Sequence, residues 1–282
     1  MSVTLVSDNY GKQRIRVVKV IRHPDRHDIL DMAVGIRFEG DYAAVHSEGD
    51  NARCLPTDTM KNTVYALAKR EPFDEIERFG IALAKHFFET TAHVSLIRID
   101  LAERRWNRLV VNGHPHPHAF SRGSEEERVA TISANREGTM EAESGIRELV
   151  VLKTTGSAFA GFFSDRYTTL DETNDRILAT AISATWKYET SDVDYGGVLS
   201  LVRQAILETF AEHDSRSVQH TLYAVGEAAL NRCPEIAEIA LSMPNKHHFL
   251  LDLAPFALKN QNEIFVPTEE PHGLIEAVLR RG

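Results

Sequence analysis

Met32, Val34, Ile36 and Phe38 alternate with Ala33, Gly35, Arg37 and Glu39, the period-two pattern of a strand with one face in a core. Ile15 and Val17, set among Arg14 and Arg16, predict an antiparallel partner for it. His23-Pro24-Asp25-Arg26-His27 between them is turn chemistry, so Gln13 to Phe38 reads as one long hairpin. The period then becomes helical. Val64, Leu67 and Ala68 follow Pro56-Thr57-Asp58-Thr59, which predicts a helix over 57–69 with Thr57 to Thr59 supplying its cap and first turn. Asp74, with Glu77 three residues on, reads as a capping-box variant opening a second helix that carries Ile76, Phe79, Leu83 and Phe87 on one face. Ile97, Ile99 and Leu101 restore strand alternation, with further extended segments over 129–134 and 146–153.

The second half repeats this order. Ile182, Ala184, Trp186 and Tyr188 alternate; Val198, Val202 and Ile206, then Val218, Leu222, Val225 and Ala229, mark two helices. Ile239, Leu241 and Met243 predict a strand, Phe249 to Leu253 its partner, and Gly273 to Arg280 a closing short helix. A strand-pair, helix-pair, strand-pair unit used twice implies an α+β fold, antiparallel sheet covered on one face by helices, divided at 1–140 and 141–282.

Composition narrows the function classes. The 282 residues, 43% of them hydrophobic, suffice for two such units. Lys+Arg 32 against Asp+Glu 41 gives a formal net charge of −9, spread along the chain, which argues against nucleic acid as a partner. No stretch approaches the roughly 20 apolar residues of a membrane helix. The polar start of the chain lacks a secretory apolar run, so an intracellular, cytoplasmic protein without membrane attachment is expected. Cys54 and Cys233 have no CxxC partner and are expected to be reduced and structural.

Four polar islands interrupt the packing pattern. Lys12, after Tyr10-Gly11, can act as a base if burial disfavours its ammonium form; a Thr57 hydroxyl needs such a base to become useful, with Asp58 beside it. The Thr57 segment would serve equally as a simple helix start. Phe159 and Arg176, bracketing a run that includes Asp165-Arg166-Tyr167-Thr168-Thr169-Leu170, suit a planar anionic ligand, through an aromatic face and a bidentate guanidinium, or ordinary core and surface roles. Val218-Gln219 offers a donor and an acceptor side by side, and Pro244-Asn245-Lys246-His247 can hold a small polar reactant and move protons. A rival constellation is His114-Pro115-His116-Pro117-His118, whose alternate imidazoles could share a metal in a metal-dependent hydrolase, although the prolines restrict that geometry.

These segments together resemble the urate oxidase (uricase) family over nearly the whole chain. Tyr10-Gly11-Lys12 is similar to its N-terminal lysine motif, and Thr57-Asp58-Thr59-Met60-Lys61-Asn62-Thr63 to its central signature. Phe159, Asp175-Arg176-Ile177-Leu178, Ser217-Val218-Gln219 and Pro244-Asn245-Lys246-His247 complete the resemblance. It implies two tandem tunnelling-fold (T-fold) units per subunit and a homotetramer whose active sites lie at subunit interfaces. It also implies oxidation of urate by dioxygen and water to 5-hydroxyisourate and hydrogen peroxide, with no metal or organic cofactor. By the resemblance Lys12 and Thr57, helped by His247, relay protons, and Phe159, Arg176, Val218 and Gln219 hold urate. Asn245 with Thr57 would hold dioxygen and then water, and Asp58 would reach the purine's other edge; Thr57 and Asp58 would come from a neighbouring subunit. The ending Arg280-Arg281-Gly282 differs from a peroxisomal Ser-Lys-Leu. A non-catalytic purine- or pterin-binding protein on the same fold is the other reading these residues allow.

Overall fold

A computed structural model describes residues 3–190 and 192–282. The chain divides into two compact units, Met1–Gly145 and Ile146–Gly282. In the first, β1 (Tyr10–Arg22) and β2 (His27–Gly40) form the expected hairpin, with Ile15 opposite Val34 and Val17 opposite Met32. Met32, Val34, Ile36 and Phe38 are all fully buried, as the alternation requires. A one-turn helix α1 (Ala43–Ser47) leads to α2 (Thr57–Arg70) and α3 (Ile76–Thr90), which pack on the sheet. The strands β3 (Val94–Val111) and β4 (His114–Asn135) then extend it in the order β1-β2-β3-β4, antiparallel throughout. The boundary between the units falls within β5 (Met140–Lys153).

Two capping expectations are corrected here. The N-cap of α2 is Pro56, without a side-chain hydrogen bond, so Thr57 and Asp58 occupy the first turn but cap nothing. The N-cap of α3 is Glu75 rather than Asp74. Glu77 does not fold back on the backbone: it is wholly buried and receives Arg128 Nη2 at 2.6 Å from β4 and Ser144 Oγ at 2.6 Å from β5. A buried carboxylate needs a cation and donors more than a helix end needs a cap.

In the second unit, residues 154–177 run without helix or strand. They are held by isolated bridges between Ser157 and Ser215 and between Phe159 and Thr173. The strand β6 (Leu178–Tyr188) follows, then α4 (Tyr195–Glu212), α5 (Val218–Arg232) and β7 (Ile236–Ser242), which is antiparallel to β6. Trp186, Val202, Ile206, Val225 and Ile239 fill the core between sheet and helices.

The chain beyond β7 departs from expectation twice. The strand β8 (Asn245–Leu250) meets β6 at Thr180 and pairs with β9 (Phe265–Gly273), so the 249–253 segment is not the partner of β7. Glu276–Arg280 is not a helix but a strand, β10, antiparallel to β7. Pairing satisfies the free edge of β7, and Leu279 lies over Gly226 of α5, where a Cβ would come within 2.9 Å of it.

Candidate active site

The second unit contains a cavity of about 510 Å³ whose walls include Phe159, Arg176, Val218, Gln219, Asn245 and His247. Six residues singled out by sequence therefore converge. They come in pairs from three places: the irregular segment 154–177, the start of α5 and the start of β8. Phe159 is pinned by reciprocal main-chain bonds with Thr173, at 2.8 and 3.0 Å, and its outer neighbour Phe162 stacks on it at 4.9 Å. Asp175 accepts from Thr155 Oγ1 at 2.9 Å and from the Gly156 amide at 3.0 Å, folding the segment so that Arg176 N reaches Ser157 O at 2.8 Å.

The Arg176 guanidinium lies 5.3 Å from the Phe159 ring centroid. Its Nε is buried and, among the described residues, has no hydrogen-bond acceptor. Burial lowers its pKa below the usual arginine value, yet guanidinium stays charged, so an unsatisfied donor and an unneutralised cation face the same cavity. An anion with a planar edge would relieve both.

Val218 opens α5, whose N-cap Ser217 accepts from the His220 amide at 3.1 Å. The first amides of a helix have no partner within it. Val218 N–H and the exposed Gln219 side chain therefore stand at the cavity as adjacent donor and amide groups. Across from them Asn245 Nδ2 and His247 Nδ1 lie 3.4 Å apart at the start of β8. Burial first, then the Arg176 and His272 charges, lowers the His247 pKa below the ordinary imidazole value, which favours the neutral ring as a proton acceptor.

Lys12, Thr57 and Asp58 belong to the first unit and do not line this cavity. They have their own order. Gly11 runs so close to β2 that a Cβ would lie 1.8 Å from Ile36 O, and a register shift follows between Lys12 and Ile15. The Tyr10 hydroxyl accepts from Leu55 N at 2.9 Å, tying the Lys12 strand to the start of α2. Asp58 accepts from Lys61, and from Asn62 Nδ2 at 2.9 Å. That hydrogen bond from Lys61, its charge, Asn62 and the field of Lys12 hold the Asp58 carboxyl below the usual range. Thr57 Oγ1 has no partner among the described residues.

His114, His116 and His118 lie on β4 with His116 and His118 rings 4.6 Å apart, but His116 Nδ1 faces the His118 amide at 3.3 Å. No three His, Cys, Asp or Glu side chains among the described residues are placed to hold one ion. No helix among them is long and apolar enough to cross a membrane.

Sequence reasoning missed the cavity residues Thr173, Asn262, Phe265 and Ile275, which stand in no motif and are brought in by the irregular segment, by β9 and by the residues flanking it. It also missed Ser215, just before α5, and Thr221, in its first turn, both fully buried polar residues.

A family model described as Uricase matches residues 8–133 and 142–276. The uricase of Arthrobacter globiformis is 46% identical over 280 residues, 99% of this chain and 90% of that protein. The uricase of Dictyostelium discoideum is 38% identical over 281 residues, 99% and 98% of the two. The crystal structure of the Arthrobacter globiformis uricase superposes with a TM-score of 0.94 at 46% identity, covering 100% of this chain and 96% of that one. A urate oxidase from Bacillus sp. TB-90, at 22% identity and a TM-score of 0.88 over 97% of this chain and all of that one, shares the fold.

Proposed function

The chain belongs to the uricase family, and from that premise we propose that its second-unit cavity holds urate while Lys12 and Thr57 drive proton transfer during its oxidation. The fold is that of two T-fold units. The activity is that of urate oxidase, an oxidoreductase of purine breakdown: urate, dioxygen and water give 5-hydroxyisourate and hydrogen peroxide.

The observation that carries the site assignment is the unsatisfied Arg176 Nε, buried beside the Phe159 ring in a cavity that also presents Val218 N–H and Gln219. Urate is a planar anion with alternating carbonyl and N–H groups along its edges. Arg176 and Gln219 suit one edge, Phe159 the ring face, and the Val218 amide a carbonyl. Asn245 and His247, 3.4 Å apart and with the His247 pKa lowered, are suited to hold dioxygen, then water, and to pass a proton. Urate stripped of a further proton is electron-rich enough to reduce dioxygen itself, so the protein's task is to supply bases, donors and a controlled cavity. No metal or organic cofactor is needed for that.

The dyad and Asp58 are proposed to reach this cavity from another subunit of a homotetramer. Four observations support it. Thr57 Oγ1 is uncommitted, Asp58 is bound to Lys61 and Asn62 at the helix surface, and neither lines the cavity of its own chain. The sheet also leaves open strands: β1 pairs only with β2 and β10 only with β7 among the described residues, and Val18, Val20 and Val278 are exposed on them.

The test is urate consumption by metal-stripped protein, followed by loss of urate absorbance and by peroxide release. Stoichiometric peroxide with chelator-insensitive rates is expected. Binding without turnover would make the cavity a purine-binding site only, and restoration of activity by a metal would remove the cofactor-free mechanism.

A further inference from the structure

Beneath the cavity wall, His213 Nδ1 lies 3.3 Å from Thr221 Oγ1, Thr221 Oγ1 donates to Ser215 Oγ at 2.7 Å, and Ser215 Oγ donates to Ser217 O at 3.0 Å. The direction of this chain is fixed by counting protons. Ser215 gives its only hydroxyl proton to Ser217 O, and Thr221 gives its own to Ser215. Thr221 Oγ1 can then only accept from His213, which places the imidazole proton on Nδ1. Burial, with the charges of His220 and Lys153 opposed by Asp214, lowers the His213 pKa and favours the neutral ring, while the Nδ1–H donor is present in either protonation state.

The chain ends on one particular peptide. Ser217 C=O and Val218 N–H are the two poles of the same amide, and Ser217 O also accepts from Thr221 N at 3.1 Å. Hydrogen bonds to a carbonyl draw electron density through the amide and make its N–H a stronger donor. Ser215 performs a second task through its backbone: Ser215 N donates to Gly156 O at 3.0 Å, and Ala158 N donates to Ser215 O at 2.7 Å. The segment carrying Phe159 and Arg176 is thereby registered against the helix start carrying Val218 and Gln219. Ser215 and Thr221 are fully buried. Polar groups held there without function would be costly compared with apolar ones of the same shape.

We infer that His213, Thr221 and Ser215 are positioning residues for the urate site, polarising the Ser217–Val218 amide toward the substrate and fixing its distance from the Phe159 face. This rests on the assignment of the cavity to urate. The experiment is an anaerobic urate titration combined with steady-state kinetics on Thr221→Val, Thr221→Ser and Ser215→Ala, with Gln219→Ala as reference. Thr221→Val is expected to raise both the urate Kd and KM about three- to tenfold while kcat stays within about twofold, the size of one weakened neutral hydrogen bond. Thr221→Ser keeps the hydroxyl and is expected to restore wild-type affinity. Ser215→Ala repeats the test should the valine variant fold poorly. Unchanged Kd in the folded Thr221→Val or Ser215→Ala protein, or a fall in kcat and Tm with KM unmoved, overturns the inference. Wild-type affinity in Gln219→Ala overturns the cavity assignment and the inference with it.

Discussion

Thr57 stands at the first position of α2 with its hydroxyl uncommitted, because Pro56 takes the cap position without capping. A capping threonine gives up one acceptor lone pair to a backbone N–H; this one keeps its proton and both lone pairs for other partners. Lys12→Met and Thr57→Ala are each expected to lower kcat by at least about a hundredfold, the usual contribution of a positioned proton-transfer group, while anaerobic urate affinity stays near wild type. Full turnover in either variant would sink the dyad. His247 gives a pH prediction. Its folded pKa lies below its unfolded one, so between the two values the unfolded chain binds more protons, and stability contributed by this residue is lost as pH falls through that window. The acid limb of kcat/KM is expected below the ordinary imidazole value, and His247→Gln is expected to flatten the stability slope there, measured by urea unfolding at stepped pH. An acid limb at or above the ordinary value contradicts the assignment.

Periodic elements were legible in the sequence because they encode burial: the β1–β2 hairpin, the two helix pairs and the strands β6 and β7 taken singly all carry buried apolar residues at regular spacing. What failed was decided by partners distant in sequence. Leu274 and Val278 are spaced like a helix, yet the segment becomes a strand because β7 offers it an edge and Gly226 offers Leu279 a seat. Glu77 looks like a capping residue until Arg128, 51 positions away, is seen to claim it. The motif residues that meet at the candidate cavity were readable, whereas Ser215 and Thr221 gave no signal, since a buried hydroxyl in a sequence looks like any other. Two predictions belong at this scale. Arg128→Met strands the Glu77 charge in the core and is expected to cost about 3–5 kcal/mol in urea unfolding; a loss under about 1 kcal/mol would show that the pair is dispensable. Gly11→Ala forces β1 from Ile36 O and is expected to cost about 1–3 kcal/mol and to reduce kcat by displacing Lys12, as measured by unfolding and by turnover.

At the scale of the whole molecule, the proposed dyad and the proposed substrate cavity reside on different units, Met1–Gly145 and Ile146–Gly282. If a site is completed by a neighbouring subunit, two inactive variants should repair each other. Co-expressed Thr57→Ala and Arg176→Ala chains are expected to regain part of the wild-type rate, because some interfaces then join an intact first unit to an intact second one. Absence of recovery in verified mixed oligomers would return the active site to a single chain. The segment 154–177 has a further consequence. It presents the stacking ring and the guanidinium, yet no regular ladder restrains it: the Ser157 and Phe159 bridges and local bonds to the Asp165, Glu172 and Asp175 carboxylates hold it. Such a segment opens reversibly at far lower free energy than the sheet behind it. Part of the binding energy of any occupant is then spent on closing it, and amide hydrogen exchange at Phe159, Thr173 and Arg176 becomes a direct gauge of occupancy, slowing when the cavity fills while exchange in β6 and β7 holds steady.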